Sequence, residues 1–463
     1  MTAKTKFILL AFSFWVSAHF SNAQNITIKG KMDVSITKGT IQCDFIVTNI
    51  PRIKNYYIFL NSGLNIRYFR NLADNYNYGY EKRYGDTIPD ECFGYYFPDS
   101  SGKAKFLPKG FQISYTGAFP VISDTLKSSD GGDWKGNIAF NGKTIRATEQ
   151  SAWYPILYDL TKDIQHTKVA YDIDVTCNDC NTIYLNGSAP VKGTSAHFKS
   201  DSALEPLLFA GNYKIDTANN TYFLNTTMSK EQLKQFGEMT ESYKNYYAKN
   251  LSIPYISNIK YIQTTPISKR SGFLFVTYPS ITSVGWDNGF AEAFGAKGNW
   301  FRPFLAHELG HYYFGTYVEF NSEIGDAITE AFAEYMSFKV TEHLINDTVY
   351  NIKIANCIRA LKDSTPVPIG NIKSSTDIKD RETYVYIYFP TILTAVEKEI
   401  GEQKMWKWMR LILTTKTEFT NYEFLKSTLK AVLKDDAKLD YLEKTYFKSD
   451  MSVQNAITII QKK

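Results

Sequence analysis

From about Asn25 to Ala210 the apolar positions come in short runs of β-branched and aromatic residues separated by turn residues, such as Ile41 to Val47, Tyr56 to Leu60, Gly110 to Tyr115 and Val169 to Val175. Runs of this length and spacing, with almost no helical period, predict antiparallel strands packed as a sandwich or saddle. Turns are expected at Asp130-Gly131-Gly132-Asp133 and at Asn186-Gly187. The many tyrosines of this half are expected to pack as cross-strand pairs. The pattern changes after Leu207-Leu208-Phe209-Ala210-Gly211. A strand near Tyr222 to Leu224 leads to Ser229, the predicted N-cap of a helix with Leu233, Phe236, Met239, Tyr243 and Tyr247 on one side. Phe273 to Tyr278 predicts a further strand, and beyond about Val340 the apolar spacing is mainly helical, as at Leu425, Leu429 and Leu433. The expected class is α+β with a β domain over 24–211 and a second domain over 212–463 that is mostly helical after about 340. No repeat or low-complexity linker interrupts the chain.

Candidate chemistry concentrates between Pro303 and Phe338. His307-Glu308-Leu309-Gly310-His311 places two histidines four apart, on one face of a helix, where their rings can converge on a single zinc ion with Glu308 beside it. A catalytic zinc takes three protein ligands and keeps one open position, so a third donor is needed. Eighteen residues intervene before Glu330. Around it Ile324, Ala327, Ile328, Ala331, Phe332, Tyr335 and Met336 recur at helical spacing, which predicts a second helix packed on the first. A carboxylate beside such a stripe is costly to bury unless paired or bound to metal. His307, His311 and Glu330 are therefore the expected ligands of one Zn2+, and Glu308 the expected general base.

The 463 residues, 44% hydrophobic and 21% charged, suffice for a sizeable core. A net charge of +5 with no long basic cluster argues against a nucleic-acid partner. Lys4 and Lys6, the apolar stretch Phe7 to Phe20 and the small-residue site Ser21-Asn22-Ala23 have the layout of a cleavable secretory signal over 1–23, so the expected location is periplasmic or secreted. No later segment is apolar enough to predict a membrane span in the mature chain. Cys43, Cys92, Cys177, Cys180 and Cys357 follow. Cys177-Asn178-Asp179-Cys180 lacks the second CxxC of a zinc knuckle, leaving a local disulfide or two free thiols. The odd count leaves at least one thiol unpaired, with Cys357 the expected one.

At the histidines a resemblance becomes specific. His307-Glu308-Leu309-Gly310-His311-Tyr312-Tyr313-Phe314-Gly315 resembles the HELAHQWFG stretch of the aminopeptidase N family of gluzincin metallopeptidases, and Thr329-Glu330-Ala331-Phe332-Ala333-Glu334-Tyr335 resembles its NEGFAEY segment. Phe111 to Gly117 is similar to a strand of that family's N-terminal β domain, Leu233 to Tyr255 to the first helix of its catalytic domain, and Tyr386 to Gly401 to its YxKGAxVLxxLExxxG. The resemblance implies a thermolysin-like catalytic domain after the β domain, without the long C-terminal helical domain of larger members. It implies the same three zinc ligands with Glu308 as base, and Tyr386 as the oxyanion donor, with Tyr384 and Tyr388 close enough to leave that choice open. Two departures stand out: the lysine and glycine after the family's tyrosine are Tyr388 and Phe389 here. The family's GxMEN segment, whose glutamate holds the substrate amine, is similar at most to Gly285-Trp286-Asp287-Asn288, with Asp287 as the amine anchor or the stretch as a surface loop. Glu334, one turn past Glu330, is expected to hold a ligand histidine or to be a solvated helix residue.

The resulting expectation is a zinc aminopeptidase acting on peptide substrates. A zinc endopeptidase on the same scaffold and a zinc-containing binding module with little turnover are the alternatives. The oligomeric state is open.

Overall fold

The structure, a computed structural model, describes residues 25–82, 89, 91–102, 104–122, 133–218, 221–256, 258–264, 272–285 and 288–462. The predicted 1–23 leader, the turn residues Asp130 to Gly132 and the candidate Asp287 lie outside the described residues.

The first half is built from three sheets. One runs Ser195–Leu204, Val169–Cys177, Thr27–Ser35, Thr40–Thr48, Phe111–Ala118, Leu64–Arg70. Its strands Thr27–Ser35 and Thr40–Thr48 alternate buried and exposed, as expected of a sheet wet on one face. A second sheet centres on Tyr56–Asn61, buried at every position, flanked by Cys92–Pro98 and Ile156–Asp159. A third runs Val191–Lys192, Thr182–Leu185, Leu208–Gly211, Thr144–Ala147, Ala139–Phe140. The expected strands are present; their pairing departs from all-antiparallel where Thr27–Ser35 lies parallel to Val169–Cys177. These strands are far apart in sequence, so no hairpin dictates their direction. The aromatic residues do pack against one another, as at Phe59 and Tyr158, whose rings stack 5.2 Å apart on paired strands.

The second half opens with a mixed sheet ordered Ile215–Ala218, Thr221–Leu224, Lys260–Thr264, Ser280–Val284, Phe273–Thr277. The last is an edge strand, antiparallel to its neighbour. Helix α1 (Lys230–Leu251) begins with a reciprocal cap: Ser229 Oγ accepts from the Gln232 amide at 3.2 Å and Gln232 Oε1 from the Ser229 amide at 2.9 Å. Then come α2 (Gly298–Gly310), α3 (Gly325–Val340), α4 (Asp347–Leu361), the short α5 (Arg381–Thr383) and α6 (Phe389–Ile400). Four more helices, Glu402–Thr414, Tyr422–Leu433, Asp436–Leu442 and Ser452–Gln461, end the chain. All seven apolar positions expected to form the α3 stripe are buried.

Separate apolar cores fill the two halves, and a smaller cluster joins them: Tyr184, Leu207, Phe209 and Tyr213 against Leu224, Ile262, Phe275 and Val284. Polar bonds reinforce that seam. Asn186 Nδ2 donates to the Thr277 and Tyr278 carbonyls at 3.0 and 2.5 Å, Lys135 Nζ donates to the Val276 carbonyl at 3.2 Å, and Thr277 Oγ1 donates to Glu149 Oε2 at 3.2 Å. Lys135 and Glu149 also pair with each other. The edge strand is thus held at its far end by the first half of the chain.

Cys177 and Cys180 form the local disulfide; Cys43, Cys92 and Cys357 are all free and buried, so Cys357 is one of three unpaired thiols. Among the described residues no helix is long and apolar enough to cross a membrane.

Candidate metal centre

Helices α2 and α3 cross where side chains are smallest. A Cβ on Gly310 would lie 3.2 Å from Ala333 Cα and 3.3 Å from its carbonyl oxygen, tighter than an ordinary contact, so glycine eases this approach of two backbones. The crossing brings Glu330 to the two histidines. His307 and His311 Nε2 stand 3.0 Å apart, and Glu330 Oε2 is 3.3 Å from the first and 3.4 Å from the second. Two ligands about 2.0–2.1 Å from one tetrahedral ion stand roughly 3.3–3.4 Å apart, so the three donors fit a single ion.

Their surroundings aim them inward. Glu334 Oε2 lies 3.0 Å from His307 Nδ1, and the Phe314 carbonyl 3.0 Å from His311 Nδ1. With each Nδ1 so occupied, each Nε2 faces the centre. Glu330 Oε2 is buried without a hydrogen bond of its own. The cluster is rich in negative charge. Burial opposes a proton on His307, but Glu330 and Glu334 outweigh it and raise that ring to about 10. Burial opposes ionisation of Glu330, yet both histidines hold its carboxyl well below the usual range. Such a site takes up a positive charge, either a proton or a metal ion.

Glu334 is buried rather than solvated, and Lys353 Nζ of α4 binds its second oxygen at 2.7 Å. Glu308 is buried next to the triad, where burial raises its carboxyl and the histidines lower it. Of the three tyrosines after α5, only Tyr386 reaches the site: its ring centre is 5.7 Å from that of His307. Tyr384 donates to the Val367 carbonyl at 3.0 Å, and Tyr388 bonds Ser452 at 3.0 Å in the core. Burial and the nearby Glu330 push the Tyr386 hydroxyl up, which keeps it a hydrogen-bond donor.

Two cavities flank these groups. One of about 570 Å³ is bordered by His307, Glu308 and Tyr386 and walled by Phe273, Leu274, Trp300, Phe304, Val349 and Ile352. The other, about 540 Å³, lies between the second sheet of the first half and the start of α3; its charged lining is Glu91, Glu149, Asp326 and Arg381. The edge strand meets the first cavity at Gly272–Leu274. Sequence reasoning passed over Lys353, Arg381 and the Gly310 crossing. Only the last left a signal, a glycine inside the metal-binding helix.

Fold and site together define a class: the chain has the fold of the M1 zinc metallopeptidases. Over 91% of its length it superposes on an M1 zinc metallopeptidase from Deinococcus radiodurans, 12% identical, with a TM-score of 0.63 and 93% of that chain covered; that protein is a mutant bound to a Tyr-Ser-Ala substrate. Yeast LTA4 hydrolase is similar over 91% of this chain and 66% of its own, at 12% identity and a TM-score of 0.61. No protein-family model and no curated protein matches the sequence.

Proposed function

We propose that the chain is a zinc metallopeptidase, acting as an aminopeptidase on oligopeptides. The observation that carries this reading is Glu308, buried against a convergent His307–His311–Glu330 triad and opening onto the cavity it shares with Tyr386. Zinc held by the triad would supply Lewis acidity and one open coordination position. Glu308 takes a proton from the attacking water and returns it to the leaving amine. The Tyr386 hydroxyl donates to the oxyanion that forms on the carbonyl. Glu334 fixes the His307 ring, and the apolar wall of the larger cavity suits a bulky apolar side chain of the peptide.

The exopeptidase part rests on the second cavity. It is limited by the first half of the chain and lined by Glu91, Glu149 and Asp326, where a terminal ammonium would compete with Lys135 for Glu149 and with Arg381 for Asp326. The D. radiodurans relative, crystallised with a tripeptide, is in keeping with a short peptide substrate. Export through the 1–23 leader is part of the same proposal, and the Cys177–Cys180 disulfide accords with an oxidising compartment.

The test compares matched peptides with free and acetylated N-termini, with zinc present and Glu308→Gln as the blank. Cleavage of the free-amine set alone is expected. Cleavage of both sets would make the protein an endopeptidase, and cleavage of neither would leave a binding module.

A further inference from the structure

The carboxylate of Glu330 has two oxygens with different surroundings. Oε2 points between the two histidine nitrogens, while Oε1 accepts from Arg381 Nη2 at 3.2 Å. Arg381 is itself gripped by Asp326, one helical turn before Glu330, through Nε at 2.8 Å and Nη2 at 2.7 Å. The remaining arm, Nη1, donates to Glu382 at 3.0 Å. Arg381 opens the short α5, capped by Asp380, whose side chain accepts from the Thr383 amide at 3.1 Å. Tyr386 follows five residues on, with its ring centre 5.9 Å from the guanidinium carbon.

Arg381 and Asp326 are roughly half exposed, at 44% and 54%, and an ion pair in that setting adds little to stability. Its planar fork, however, fixes the guanidinium in one orientation. We propose that Arg381 is a positioning residue: it reserves Oε1 of Glu330, so that the carboxylate gives a metal ion one oxygen only, and it ties that ligand to the turn bearing Tyr386. The inference rests on the metallopeptidase reading. A carboxylate free to turn can give both oxygens and fill the position that water needs. Because one guanidinium sets both the ligand and the start of the Tyr386 turn, the two keep register.

The experiment uses the full chain with zinc and, separately, with cobalt(II), whose visible bands report coordination number. Zinc affinity is read by competition with a chromophoric chelator. Arg381→Ala is expected to lose about 10–100-fold in zinc affinity, to shift and weaken the cobalt bands, and to lower kcat more than it raises KM. Arg381→Lys keeps the charge but not the fork, and falls between the two proteins. Asp326→Asn, which loosens the fork at its other end, moves the cobalt bands the same way. Should Arg381→Ala not fold, Arg381→Lys carries the comparison. An Arg381→Ala protein with zinc affinity within about twofold of wild type and superimposable cobalt bands overturns this proposal while leaving the peptidase reading intact. A wild-type chain that binds neither metal at unit stoichiometry overturns both.

Discussion

Replacing Gly310 by alanine sets helix propensity against packing at the metal site. The new Cβ would stand 3.2 Å from Ala333 Cα and 3.4 Å from Ala333 Cβ, whereas carbons in contact prefer about 3.5–4.0 Å. One of the nearest obstacles is a backbone carbonyl rather than the end of a flexible side chain, so α3 must give by a few tenths of an ångström. Alanine gains about 1 kcal/mol of helix propensity over glycine, and overpacking costs about 1–3 kcal/mol. The metal-free protein should therefore lose only about 0–2 kcal/mol. The site should lose more, because metal ligands tolerate about 0.2 Å. Glu330 and Glu334, which flank Ala333 on α3, move with it, and the 3.0 Å contact between Glu334 and His307 is stretched. The expected result is a zinc affinity reduced about 10–100-fold with a melting temperature of the metal-free protein close to that of wild type. Chelator competition and thermal melts measure the two. Zinc affinity within about twofold of wild type would refute the idea that the Gly310–Ala333 contact sets the ligand geometry.

Three further outcomes are expected. Glu308→Gln should bind zinc at unit stoichiometry and hydrolyse nothing, while Glu330→Ala should not retain the metal through dialysis; equal zinc in both would break the division of roles. Tyr386→Phe should lower kcat about 10²–10³-fold with little change in KM, since its hydrogen bond strengthens only in the transition state; a large rise in KM at preserved kcat would remove Tyr386 from that role. Glu205, raised by burial and then by Glu149 from 4.5 to about 7, contributes stability that is full below its unfolded value and lost as pH rises through the folded one. Thermal stability should fall between pH 5 and 8.5 by up to about 3 kcal/mol from this group, and Glu205→Gln should flatten that fall; an unchanged slope counts against it.

The parts of the site that lie along one helix were legible in the sequence, because a 3.6-residue period dictates that His307 and His311 share a face and that Glu330 sits beside a buried stripe. Glu334 and Tyr386 were legible only as options. Whether Glu334 met solvent or His307, and which of three tyrosines turned inward, depends on contacts between elements distant in sequence. Arg381 and Lys353 had no signal at all: each is one charged residue on a helix, and its partner is fixed by packing. The strands of the first half were readable from their alternation. The parallel pairing of Thr27–Ser35 with Val169–Cys177 was not, since no short connection ties those strands.

The seam between the halves bears on the order in which the molecule is made. Synthesis proceeds from the N-terminus, and domains generally fold as they emerge. Lys135, Glu149 and Asn186 therefore emerge before the strand Phe273–Thr277, and a first half that folds as it emerges holds them ready for it. When that strand arrives, donors for its Val276, Thr277 and Tyr278 carbonyls are already waiting. The first half thus serves as a mould for the strand that borders the catalytic cavity. A catalytic half made alone would begin with that end of its sheet untemplated.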